Sequence, residues 1–102
     1  MIFKKGSNNL RITIRFYGIA YENTGTREWI PELKEKATIG TLLRLIVEQF
    51  PQLNSLVFDK EGRFSNYLSL AVNNVDILGL NGSETVLLEG DIVFVMPPIG
   101  GG

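Results

Sequence analysis

The stretch "LRITIRFY" alternates without a break. Leu10, Ile12, Ile14 and Phe16 fall on one side, and Arg11, Thr13, Arg15 and Tyr17 on the other. Such a period of two predicts a half-buried β-strand. "GIAYENTG" follows, a loop or short helical turn bracketed by Gly18 and Gly25. "TREWIPEL" predicts a second strand, and because Pro31 has no N–H to give a ladder, that strand belongs at a sheet edge. The period then changes. In "ATIGTLLRLIVEQFP" the residues Ile39, Leu42, Leu43, Ile46, Val47 and Phe50 recur at helical spacing, with Thr38 as N-cap and Pro51 as the stop.

Beyond the helix, "PQLNSLVFDKEGRFSN" reads as connection with a turn from Asp59 to Gly62. "YLSLAVNNVDIL" predicts a strand, a tight turn at Asn73-Asn74 and a short returning strand, since asparagine tolerates the positive φ such turns require. Turn signals recur at Asn81-Gly82 and at Glu89-Gly90-Asp91, and "IVFVM" closes the pattern as a last strand. Here the alternation is uninformative: Ile92, Phe94 and Met96 share one side, Val93 and Val95 the other, and both are apolar. One side meets the helix. The other is either shielded in a central strand or forms a patch that invites a partner.

The order β-β-α-β-β-β with a single long helix predicts an α+β domain, a mixed sheet with one helix-covered face. It is the order of the β-grasp (ubiquitin-like) fold, in which the last strand lies parallel beside the first. The expected organisation is a flexible N-terminal arm over 1–9, the domain over 10–98 and a flexible glycine tail over 99–102.

Composition narrows the chemistry. The 102 residues carry a net charge of −1, which argues against nucleic acid as a partner. No lysine or arginine follows Arg63, whereas Asp76, Glu84, Glu89 and Asp91 do, so this part of the chain either suits a basic docking face or carries solvated turn charges. The sequence contains no cysteine and no histidine. That excludes a disulfide framework, a thiolate nucleophile and imidazole acid–base chemistry. No apolar run approaches a membrane span and no signal-type core follows the first residues, so the chain reads as soluble and cytoplasmic. No bound cofactor, metal site or stand-alone enzyme activity is expected.

The remaining feature is the end, "PPIGGG". Pro97 and Pro98 cannot extend a ladder and turn the chain outward. Ile99 is an apolar handle, and Gly100, Gly101 and Gly102 lack the Cβ that would bar a narrow channel. Four extended residues reach roughly 13 Å, enough to place the α-carboxylate of Gly102 in another protein's active site. A carboxylate becomes electrophilic once converted to a mixed anhydride, for example with ATP.

These segments resemble the ubiquitin-like sulfur-carrier family, the group of the molybdopterin synthase small subunit and the thiamine-pathway sulfur carrier. "RFYGIAYENTG", "ATIGTLLRLIVEQFPQL" and "LAVNNVDI" are similar to its first strand and turn, its helix and its hairpin. "LLEGDIVFVMPPIGGG" carries the most specific likeness, and its Pro-Pro form is nearer the molybdopterin synthase subunit. The arm Met1 to Asn9 and the longer stretch Asp59 to Asn66 resemble archaeal small modifier proteins instead.

The resemblance implies a carrier. An E1-like enzyme would use ATP to adenylate Gly102, a sulfur donor would convert it to a thiocarboxylate, and the large subunit of molybdopterin synthase would receive the tail. Gly102 would carry the chemistry, Gly101 and Gly100 would permit passage, and Pro98, Ile99, Phe94 and Met96 would contact partners, although Phe94 and Met96 equally suit the core. The alternative fates are attachment of Gly102 to lysines of target proteins, or a plain interaction domain whose tail is never activated.

Overall fold

The computed structural model describes residues 9–98. The expected tail over 99–102 lies outside them, as does the expected arm apart from Asn9, which opens the first strand opposite Lys34. The elements are β1 (Asn9–Arg11), β2 (Thr13–Phe16), α1 (Ile19–Thr24), β3 (Glu28–Trp29), β4 (Glu32–Lys34), α2 (Ile39–Gln49), α3 (Asn54–Val57), β5 (Ser69–Val72), β6 (Val75–Asp76) and β7 (Ile92–Met96).

The alternation of Leu10–Tyr17 holds: Leu10, Ile12, Ile14 and Phe16 are buried, and Arg11, Arg15 and Tyr17 are exposed. The expected single strand, however, is split at Ile12. Arg11 faces Glu32 and Ile14 faces Trp29, a continuous register that sets Ile12 opposite Pro31. Pro31 accepts from the Ile12 N–H at 3.5 Å but has no N–H to return. One hairpin is thereby cut into a two-stranded piece, β1–β4, and a second piece, β2–β3, that joins the main sheet.

That sheet has the order β3-β2-β7-β5-β6, with β3 at the edge where Pro31 was expected to put it. β7 runs parallel to β2 and antiparallel to β5. β2, the second half of the expected first strand, and the last strand β7 are therefore parallel neighbours inside the sheet, and the fold is a β-grasp.

The helix begins where Thr38 caps it, its hydroxyl accepting the Thr41 N–H at 3.2 Å. It ends as Phe50 donates its N–H to Ile46 at 2.7 Å and Pro51 opens a short 3₁₀ turn. Ile39, Leu42 and Ile46 are almost fully buried with Ile12, Ile14 and Phe16. Phe50 meets Phe16 and Trp29 edge to face, each with centroids 5.3 Å apart. The stretch 51–66, expected as plain connection, is largely built: α3 follows the 3₁₀ turn, and Phe58 bridges to Phe64 around the Asp59 turn. Asp59 Oδ1 accepts the N–H groups of Glu61 and Arg63, each at 2.9 Å. Donation from the Arg63 backbone is the main cause that holds its carboxyl below the usual value.

Among the described residues, no helix is long and apolar enough to cross a membrane.

Candidate docking site at the root of the C-terminal segment

The ambiguity in the last strand resolves by parity. Val93 and Val95 are buried in the core cluster with the helix residues, so Ile92, Phe94 and Met96 lie on the opposite, outer face of the sheet, each partly exposed. Phe94 sits at the centre of that face. It lies between Arg15 of β2 and Ala71 of β5, and its ring stacks on Tyr17 at 6.2 Å and 23°. Arg15 is held to Glu28 by a 3.3 Å ion pair, which borders the apolar patch with a charged rim. Met96 faces Ser69 across the β5 ladder.

The strand is pinned at both ends. At its start, Asp91 is buried, and its carboxylate accepts the Leu88 N–H at 2.8 Å and the Asn73 side-chain amide at 3.1 Å. Asn73 takes positive φ (58°) in the β5–β6 turn, and its side-chain oxygen accepts the Ile92 N–H at 3.1 Å. The Gly-Asp turn and the Asn-Asn turn, separate motifs in the sequence, are one interlocked unit that fixes where β7 begins.

At its end, the Tyr17 N–H donates to Val95 at 2.9 Å, after which Pro97 offers no further donor. Pro97 lies against Gly18, and Pro98 borders a groove lined also by Tyr67, Leu68, Ser69 and Leu78. Leu78 is 87% exposed and Tyr67 58% exposed, so apolar surface continues from the groove onto the outside of the molecule.

Of the residues expected to act, the structure places Phe94 and Met96 on the outer face of the sheet and Pro98 just past the end of β7, beside the groove. Ile99, Gly100, Gly101 and Gly102 lie outside the described residues. Sequence reasoning did not reach Tyr17, Gly18 or the groove residues. Only the bracketing glycine gave any sign at Gly18, and its contact with Pro97 spans the whole chain.

Comparison with known proteins bears on the family and the fold. The sequence profile of the ThiS family matches residues 14–102. The chain belongs to the ThiS family. It is thereby one of the ubiquitin-like sulfur-carrier and modifier proteins. It is 26% identical to small archaeal modifier protein 3 of Haloferax volcanii over 93 residues, which are 91% of this chain and 100% of the relative. The solution structure of small archaeal modifier protein 1 from Methanosarcina acetivorans superposes with a TM-score of 0.80 at 21% identity, covering 92% of this chain and 98% of that one. A Pyrococcus furiosus chain described as molybdopterin converting factor subunit 1 gives 0.73 at 22% identity, over 88% and 99%. These structures share the fold of this ThiS-family chain.

Proposed function

We propose that this ThiS-family chain is a cytoplasmic sulfur carrier acting as the small subunit of molybdopterin synthase. The observation that carries the reading is the continuity at β7: a central strand presents Phe94 and Met96 outward and runs directly into Pro97, Pro98 and the glycine tail. A partner that covers the outer face receives the terminus in the same act.

In the first step an E1-like enzyme binds ATP. The Gly102 carboxylate oxygen attacks the α-phosphorus, pyrophosphate leaves, and a mixed anhydride with AMP forms. Sulfide-level sulfur (HS⁻) then attacks the carbonyl carbon as AMP departs, giving a thiocarboxylate. That group is ionised and nucleophilic at neutral pH: its sulfur attacks an electrophilic precursor held by the large synthase subunit, and water then cleaves the acyl C–S bond, leaving the sulfur on the precursor and restoring the Gly102 carboxylate. This chain contributes the reactive end, the glycines that let it pass, and the docking face. The partner proteins contribute the catalytic side chains.

A second reading is favoured by the likeness to a small archaeal modifier protein. A lysine amine of a target protein attacks the activated carbonyl, AMP leaves, and an isopeptide bond joins Gly102 to the target.

The absence of cysteine makes the test direct. The protein is incubated with ATP, an E1-like enzyme and a sulfur source, treated with a thiol-alkylating reagent, and its intact mass recorded. One alkyl adduct mapped to Gly102 is expected. Adenylation without any adduct would replace sulfur carriage by amine transfer, and removal of Gly101 and Gly102 without loss of activation would end both readings.

A further inference from the structure

We propose that Gly18 is a positioning residue for activation of the C-terminus: the Pro97 ring rests on its bare Cα, and that contact sets the direction in which the chain leaves the sheet. The inference rests on the carrier reading above.

A Cβ placed on Gly18 would lie 2.5 Å from Pro97 Cγ and 2.9 Å from Cδ, closer than any relaxed contact. Gly18 also takes φ 57° and ψ −131°, a backbone conformation that residues with a Cβ avoid. The described glycines Gly25, Gly62, Gly82 and Gly90 have positive φ too, yet a Cβ on any of them would meet nothing within 4 Å. For those four the turn alone accounts for glycine. At Gly18 there is a second requirement, imposed by a residue at the far end of the chain.

The surroundings hold this contact in register. Tyr17, just before Gly18, donates its N–H to Val95 at 2.9 Å, tying the loop to the end of β7. Just after it, the Gly18 carbonyl accepts the Glu22 N–H at 2.9 Å and so opens α1. Gly18 is therefore fixed between a strand and a helix, and Pro97 is held against fixed backbone.

The two prolines carry the effect outward. Proline locks its own φ, and the residue before a proline is restricted to extended geometry. A displaced Pro97 ring therefore redirects Pro98, which borders the groove beside Tyr67 and Ser69. To relieve a methyl at Gly18, the ring must retreat from 2.5 Å to at least the 3.4 Å of ordinary contact. Docking needs the outer face and the tail in register at once, so such a shift weakens productive binding and leaves the chemistry of the bound state intact.

The test compares Gly18→Ala, Gly25→Ala, Pro97→Ala and the double variant Gly18→Ala/Pro97→Ala in ATP–pyrophosphate exchange with the E1-like enzyme, all at a temperature where each is folded. Gly18→Ala is expected to raise KM at least tenfold with kcat nearly unchanged, since misplacement by an ångström can cost up to about a hundredfold. Gly25→Ala is expected to match the parent. The double variant lacks Cγ and Cδ of residue 97, so its KM should return to that of Pro97→Ala, while the cost of placing a Cβ at positive φ remains and keeps its stability below that of Pro97→Ala. This separates aim from strain.

A second readout needs no partner. Spin labels on Gly100→Cys and Glu48→Cys, in an otherwise cysteine-free chain, report the direction of the tail as a distance distribution. Gly18→Ala should shift it and Gly25→Ala should not. An unshifted distribution or an unchanged KM for Gly18→Ala overturns the proposal. If the parent protein is never adenylated, the carrier reading fails, and the distance distribution alone decides whether Gly18 directs the tail.

Discussion

Val95 and Phe94 are neighbours in sequence but lie on opposite faces of the sheet, which makes them a matched pair for separating folding from docking. Val95 is 1% exposed, so Val95→Ala removes two fully buried methyl groups. The lost transfer free energy is about 1.6 kcal/mol at roughly 0.8 per carbon. A residual cavity of roughly 40 Å³ adds about 1 kcal/mol, for a total of about 2.5 kcal/mol. In a domain of this size that lowers Tm by about 10 °C or more. Phe94 is the larger side chain but is only partly buried, and its main contact is the stack on Tyr17. Phe94→Ala should therefore cost less, about 1–2 kcal/mol, because such a stack adds about 0.5–1.5 to the partial burial. The docking effect should run the other way. Phe94→Ala is expected to lower kcat/KM for adenylation by an order of magnitude or more, and Val95→Ala to leave it near parent once corrected for the folded fraction. Urea denaturation and pyrophosphate exchange on the same samples provide both numbers. If Phe94→Ala proves at least as destabilising as Val95→Ala, or leaves activation untouched, the assignment of the two faces is wrong.

Other consequences are as direct. Asp91→Ala removes a buried carboxylate that accepts two hydrogen bonds and should cost about 2–3 kcal/mol by denaturant titration. Because Asn73 belongs to the same unit, Asn73→Ala combined with Asp91→Ala should cost clearly less than the sum of the single variants. At Asp59 the folded carboxyl titrates below its ordinary value of 3.8, so its contribution is present above that pH and is lost as pH falls through the lower folded value. Asp59→Asn should therefore be destabilising at neutral pH, with a penalty that shrinks steadily below 3.8 in an acid titration followed by circular dichroism. Met96→Ala should weaken partner binding by several-fold in titration calorimetry while its Tm stays closer to parent than that of Val95→Ala.

Much of the fold was legible because its longest elements have clean periods. Leu10 to Tyr17 and Ile39 to Phe50 carry their burial pattern in the identity of each residue, and Pro31 announced the edge. The last strand was different. Isoleucine, valine, phenylalanine and methionine supply no polar side to contrast, so the face of Phe94 follows from its partners Arg15 and Ala71, which no local pattern encodes. The short helices between Pro51 and Val57 were missed because two turns are too brief to establish a period. Gly18 was visible only as turn punctuation. Its second role depends on Pro97, a contact that exists only once the two ends of the domain have been brought together.

The central place of β7 also has a mechanical meaning. A partner that draws the tail into a channel pulls along the axis of this strand, which is bonded to β2 on one side and to β5 on the other. Tension directed along the strand shears both ladders at once, so their bonds share the load instead of opening one after another. Under the carrier reading, the domain would act as a rigid handle while a partner threads, holds and releases the terminus. The same tail attached to the two-residue edge strand β6 would peel its anchor away with the first pull.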